Sequence, residues 1–255
     1  MTSAPCAVSV TATTKVVAME RQLAFVLHTR PYRETSQLVE LFCAGVGRQT
    51  LVARGSRSAR SPLKALLQPF TPLSVSWRGK GELKSLEQLE VEGPPLQLRE
   101  VSLYSALYLN ELLYYLLERQ TAYHELFDYY RQALQLLTQG GSPEPVLRQF
   151  ELLLLEALGY GLDFSTDALS GLPIEPQLHY LYRAEYGFVQ APGNGSGMDR
   201  YEGRHLVAMG SGCLETADEL LAAKRFCRQA LKPYLGNRPL KSRELFQHLS
   251  ARKMQ

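Results

Sequence analysis

The chain has 255 residues, 45% of them hydrophobic and 21% charged, which fits a folded globular protein of one large domain or two to three small ones. No stretch approaches the about 18 uncharged apolar residues that span a bilayer, and Met1 to Met19, with Lys15 as its one lysine, lacks the charged start and following apolar block of a signal peptide. The net charge of +3 hides a strong asymmetry: residues 1–80 hold 11 Lys or Arg against 3 Asp or Glu, residues 81–165 hold 5 against 13, and residues 166–255 hold 12 against 9. Met1 to Met19 reads as a disordered tail or a misassigned start, and Met19 can equally be the natural first residue. Gln22–His28 then alternates Leu23, Phe25 and Leu27 with its other residues, as a strand does. Thr35–Phe42 and Arg48–Ala53 read as two more strands around a turn at Gly45–Gly47. A polar basic loop follows Gly55, and Ser61-Pro62 starts a short helix over Leu63–Leu67, with Ser61 as its cap. Leu73, Val75 and Trp77 alternate in a fourth strand, and Leu83–Leu89 makes a fifth. Five short strands with a small helix between the third and fourth follow the order of an OB-fold barrel, although the spacing alone also fits other small barrels.

Gly93-Pro94-Pro95 marks a boundary, after which the pattern is helical. Val101–Arg119 is apolar on nearly every side and predicts a buried central helix. His124–Leu137 and Val146–Leu158 are amphipathic, separated by a turn at Gly140-Gly141-Ser142-Pro143 and stopped at Gly159-Tyr160-Gly161. Leu178–Val189 fits a small hairpin, and Ala191–Gly197 a loop. Thr216 and Glu219 form a capping box for a helix that runs to about Leu231, before Pro233. The four cysteines, Cys6, Cys43, Cys213 and Cys227, show neither C-x-x-C pairs nor a secreted framework, and reduced cytosolic thiols are the better reading.

A basic front suggests a polyanion partner, or else docking on the chain's own acidic middle; both can hold together. Arg33, Arg48, Arg54, Arg57, Arg60, Lys64, Arg78 and Lys80 can line one face for phosphate, with a solvated basic loop as the plainer reading. Trp77 and Phe25 share parity with core residues, which leaves Tyr32, beside Pro31 in a loop, as the candidate for base stacking. Lys224, Arg225, Arg228 and Lys232, followed by Arg238, Lys241 and Arg243, offer a second basic surface, or simply cations complementing a helix C-terminus. Two such surfaces suit the bringing together of two polyanions.

Three stretches carry a family resemblance. The first is Ala24–Ser36 with the Ala53–Arg57 loop and Leu67-Gln68-Pro69-Phe70. The second is Leu107–Leu113, with Leu147–Glu151 and Leu158–Gly161. The third is Ala223–Phe226, Ala230–Gly236 and Leu240–Leu245. In this order and spacing the chain resembles the bacterial RecO family of recombination mediators, in its proteobacterial branch, over about residues 20 to 248. The resemblance implies an α+β chain: an OB-fold over 20–92, a helical domain over 96–165, and a small C-terminal α/β module over 166–250. That module would be a degenerate zinc-ribbon-like region plus helices packing on the helical domain. Some family members hold zinc there with four cysteines. This chain lacks those pairs, so no metal and no cofactor is expected, and hydrophobic contacts must hold the module.

The resemblance also implies binding of single- and double-stranded DNA, strand annealing, and loading of RecA onto strands covered by single-strand-binding protein (SSB). RecR is the implied partner, the implied place is the cytoplasm at the nucleoid, and the chain alone is expected to be monomeric. The acidic SSB tail, which ends in a hydrophobic residue and a carboxylate, is implied to dock in the helical domain. Arg148 beside Leu152 and Leu155, off the main core stripe, suits such a tail, or the two leucines pack on a neighbouring domain.

Catalysis has little support. The five histidines are scattered, Gly210-Ser211-Gly212-Cys213 lacks the Lys of a phosphate loop and is expected to open a helix, and Glu87, Glu90 and Glu92 read as a solvated edge. The competing reading is an OB-fold RNA-binding or translation-associated module.

Overall fold

The computed structural model describes residues 21–81, 83–191 and 200–246. The tail expected over 1–19, Cys6, and most of the loop expected over 191–197 lie outside these residues.

Five strands close into a barrel: β1 (Gln22–Tyr32), β2 (Ser36–Cys43), β3 (Gly47–Ala53), β4 (Leu73–Arg78) and β5 (Lys84–Val91), with helix α1 (Leu63–Leu66) between β3 and β4. The order around the barrel is β1-β2-β3-β5-β4, antiparallel except for the β3–β5 pair. This is an OB-fold. Val26, Leu41, Leu51, Leu73, Val75 and Trp77 are among the residues that fill it. Trp77 is only 2% exposed, which makes it core. Tyr32, expected in a loop, is instead the last residue of β1 and pairs with Ser36. Ser61 does not cap α1; Pro62 holds that position with no side-chain bond.

Phe25 and Leu27, the alternation that announced β1, do not enter the barrel. They belong to a second core outside it, where Phe25 and Phe42 meet Phe127 and Tyr130. Over Ala24–Leu27 β1 is buried on both faces, so its larger residues there serve the outer one. That outer layer is helical: α2 (Glu100–Leu116), α3 (His124–Thr138) and α4 (Glu144–Ala157). A β-bulge interrupts β1 between Val26 and His28. Bulges leave backbone groups without ladder partners. Here the Asn110 amide on α2 donates to the carbonyls of Val26 and Leu27, each at 3.3 Å, and accepts the Tyr130 hydroxyl at 2.6 Å. A buried polar group needs such partners, because an unmet carbonyl costs about 1–3 kcal/mol. Gly47 closes the same junction. A Cβ there would sit 1.7 Å from the Thr121 carbonyl, and its φ of +68 suits glycine.

The last third carries the expected hairpin, β6 (His179–Arg183) and β7 (Gly187–Gln190). Two further elements, β8 (Arg200–Glu202) and α5 (Gly203–Ser211), escaped the sequence reading. The small sheet runs β7-β6-β8. The Gly210–Cys213 stretch, expected to open a helix, ends α5 instead, with Gly212 at φ +71. Helix α6 (Ala217–Leu235) begins on the predicted capping box, with Glu219 N–H to Thr216 Oγ1 at 3.3 Å and Thr216 N–H to Glu219 Oε2 at 2.9 Å. Pro233 was expected to end α6, yet it lies inside the last turn. Its missing N–H removes one bond close to an end that frays anyway. Residues 241–246 are helical. Rings of Phe164, Tyr182, Phe188, Tyr201 and Phe226 hold this module to α6.

Candidate nucleic-acid interface

Four of the cations singled out in the barrel gather at one end. Arg33 sits in the β1–β2 turn with φ +55, its guanidinium 5.2 Å from the Tyr32 ring. The loop after β3 is tied to that turn: Arg57 N–H donates to the Thr35 carbonyl at 2.8 Å, and Arg57 Nη1 to the Arg33 carbonyl at 3.2 Å. Ser56 anchors the loop from inside, fully buried, with its hydroxyl on the Ala53 carbonyl at 2.8 Å. Arg33, Arg54, Arg57 and Arg60 are all exposed around this anchor, and Lys64 is exposed on α1. A buried serine with arginines around it is a stiffened basic loop.

Arg78 follows across the sheet, since it pairs with Ser85 of β5, which pairs in turn with Val52 at the end of β3. Arg78 and Lys80 are both exposed, and Arg78 faces Glu87 at 3.8 Å. Arg48 departs from the expected single face. At the start of β3, it points at the helices, bonds the Tyr114 carbonyl through Nη1, and lies 5.4 Å from the Tyr114 ring. Burial lowers its pKa, partly opposed by Glu40, and the nearby Arg119 lowers it further.

The C-terminal cations also divide. Lys224 pairs with Glu144 on α4 at 2.8 Å. Arg225 lies 4.4 Å over the Tyr201 ring and donates to the Arg200 carbonyl. These two bind the module together. Arg228 and Lys232 are exposed on α6. Lys241 is exposed, while Glu111 accepts the backbone N–H groups of Lys241 and Ser242 at 3.0 and 2.9 Å, which opens the final helical turns. Arg243 is half-buried, 5.7 Å from the Tyr108 ring.

Two family models match the chain in tandem: the N-terminal part of recombination protein O over residues 18–95 and its C-terminal part over 101–244. The chain belongs to the RecO family. "DNA repair protein RecO" of Tolumonas auensis is 52% identical over 231 residues, covering 90% of this chain and 96% of that one. The protein of that name from Photobacterium profundum is 50% identical, covering 88% and 94%, and that from Yersinia pestis 52%, covering 88% and 93%. The RecO family is one of DNA repair and recombination, and the OB-fold, the basic barrel end and the helical layer agree with that setting.

For a RecO-family chain the placement of Arg148 is the main departure from the sequence reading. Its side chain is 6% exposed and pairs at 2.8 Å with Glu151, which is 2% exposed. The Tyr108 hydroxyl donates to the same carboxylate oxygen at 2.6 Å. Burial pushes the Glu151 carboxyl up, against the pull of Arg148 and the Tyr108 bond. Leu155 is fully buried and Leu152 nearly so. The three residues therefore share no open groove. The reason is that α4 is covered on two sides, by α3 and by α6, so residues off its main stripe are also core. Leu152 does line a cleft of about 790 Å³, with Leu153, Phe164, Val207 and Met209, but Glu156 and Asp163 also line it.

Sequence reasoning passed over His28 and Arg30, both exposed on β1, and Tyr114 and Tyr115 at the end of α2. The bulge hid the first two: His28, Arg30 and Tyr32 recur with the strand period of two, but on the parity of Ala24 and Val26, which fill the barrel. The tyrosines were hidden in an apolar run that reads as buried on every side. Among the described residues no helix is long and apolar enough to cross a membrane.

Proposed function

We propose that this chain is a non-catalytic mediator that binds single- and double-stranded DNA, anneals complementary strands, and helps RecA load onto DNA covered by SSB. RecR is its proposed partner, it acts in the cytoplasm at the nucleoid, and it is monomeric alone. The observation that carries the reading is the pair of exposed basic surfaces on different layers. One is Arg33, Arg54, Arg57 and Arg60 at the barrel end; the other is Arg228, Lys232 and Lys241 on the C-terminal helices. Cations exposed in this way attract phosphates and release their counterions, whatever the base sequence. Two surfaces allow two strands to be held at once.

The second reading places the acidic SSB tail on the helical layer. Its support is the family and the cleft that Leu152 lines. The Glu156 and Asp163 carboxylates at that cleft repel an acidic tail, so the tail's carboxylates need cations from outside it. Arg148, inside and already paired, is not free to supply one.

The test is pairing of complementary strands coated with SSB. Addition of the chain should speed duplex formation, and turnover of DNA or nucleotide should stay at background. Pairing at the rate of the protein-free control removes the mediator reading.

A further inference from the structure

The outward face of β1 changes its residues at the bulge. Before it, the odd-numbered Phe25 and Leu27 face outward and bury against the helices. The extra residue between Val26 and His28 turns the alternation over, as a one-residue shift must. Beyond it His28, Arg30 and Tyr32 share the outer side, exposed or half-exposed. At one end this row meets Arg33 in the basic turn. At the other it runs onto the end of α2. There the His28 imidazole lies 5.3 Å from the Tyr114 ring, and Tyr114 lies 5.1 Å from Tyr115. The Arg238 guanidinium, just past α6, lies 5.6 Å from Tyr115. Rings and cations thus form one row from the barrel to the C-terminal helices.

Packing accounts for this row only in part. Leu112, Leu113 and Leu117 fill the core and Tyr115 packs against it with one side, yet Tyr114 and Tyr115 both stay half-exposed. Arg48 is kept at a cost: its Nε is buried without a partner, and Arg119 adds like charge. What Arg48 does secure is the position of Tyr114, through the backbone carbonyl and the ring face.

We infer that this row is a track for single-stranded DNA, on which bases stack against Tyr114 and Tyr115 while Arg30 and Arg238 take the flanking phosphates. The inference rests on the reading of the chain as a DNA-binding protein and names where the unpaired strand lies. Only an unpaired base can offer its face to a ring, because duplex bases are already stacked inside the helix. Arg238 over Tyr115 is an exposed cation–π contact, weaker than a base stack. A base therefore displaces the guanidinium, which turns to the phosphate beside it. The track crosses from barrel to helices, so a strand lying on it touches both.

The experiment uses the full chain and a single-stranded oligonucleotide carrying 2-aminopurine, whose fluorescence reports stacking, beside a duplex of equal length. Tyr114→Leu and Tyr115→Leu keep apolar bulk but remove the ring. Each should lose single-strand affinity on the order of tenfold and lose the fluorescence change, with duplex affinity unchanged. Tyr114→Phe and Tyr115→Phe should keep both signals. Arg238→Glu, exposed and outside the core, should reduce the salt dependence of single-strand binding by about one unit. Leucine variants that bind and stack as the unsubstituted chain does, or that weaken the duplex equally, overturn the track while leaving DNA binding intact. If the unsubstituted chain binds neither form, the DNA-binding reading itself falls.

Discussion

Arg57 on the barrel loop and Arg148 on α4 both look from the sequence like arginines reserved for a partner. Their surroundings give them opposite work. Arg57 is exposed, holds two turns together through backbone carbonyls, and leaves its charge to the solvent. Arg148 is buried with Glu151 and Tyr108, and its charge is spent inside the fold. A charge taken out of water costs several kcal/mol unless it is answered, so Arg148 is tied to its partners, whereas Arg57 is tied to none of the chain's carboxylates by an ion pair among the described residues. Exposure, more than residue type, separates a binding arginine from a structural one.

The largest effect should come from breaking the buried side of this contrast. Arg148→Ala leaves the Glu151 carboxylate buried and unpaired, and should cost about 3–5 kcal/mol in urea unfolding, with DNA affinity of the folded fraction unchanged. A midpoint equal to that of the unsubstituted chain would show that the pair contributes nothing. On the exposed side, Arg54→Glu with Arg57→Glu should leave the unfolding midpoint unchanged within about 0.5 kcal/mol. DNA binding should instead weaken by about tenfold, and its salt dependence should flatten by about two units. An unchanged salt slope removes the loop from the interface.

The smallest effect lies at the start of α6. Thr216→Ala should cost about 1 kcal/mol through loss of the cap. Backbone N–H groups of Thr216 and Glu215 hold the Glu219 carboxyl below its usual range. A depressed acid gives stability that is present above its unfolded pKa and fades as pH falls through the folded one. Acid titration of Glu219→Gln should therefore lack a part of the stability loss below about pH 4.5 that the unsubstituted chain shows.

The barrel was legible because β1 and β4 alternate and turns break the chain between the strands. The capping box was legible because its two residues lie three apart. What escaped needed a partner in view. The bulge in β1 shows only in its register against β2, and without it His28 and Arg30 carry the wrong parity. Leu155 and Arg148 lie off the apolar stripe of α4, and only the presence of α6 on that side buries them. β8 has three residues, too few for a period, and α5 begins on a glycine with no side-chain cap. The cations themselves were visible, but which of them face solvent depended on neighbours remote in the chain.

The Asn110 amide that closes the β1 bulge has a consequence for how the molecule moves. With Phe25, Leu27 and Phe42 sunk between the helices, and Gly47 pressed against Thr121, any swing of the barrel would have to break this packed junction. The two layers form a single anvil. In the strand pairing proposed above, the travel therefore falls to the nucleic acid, with the protein supplying the place and the DNA supplying the motion.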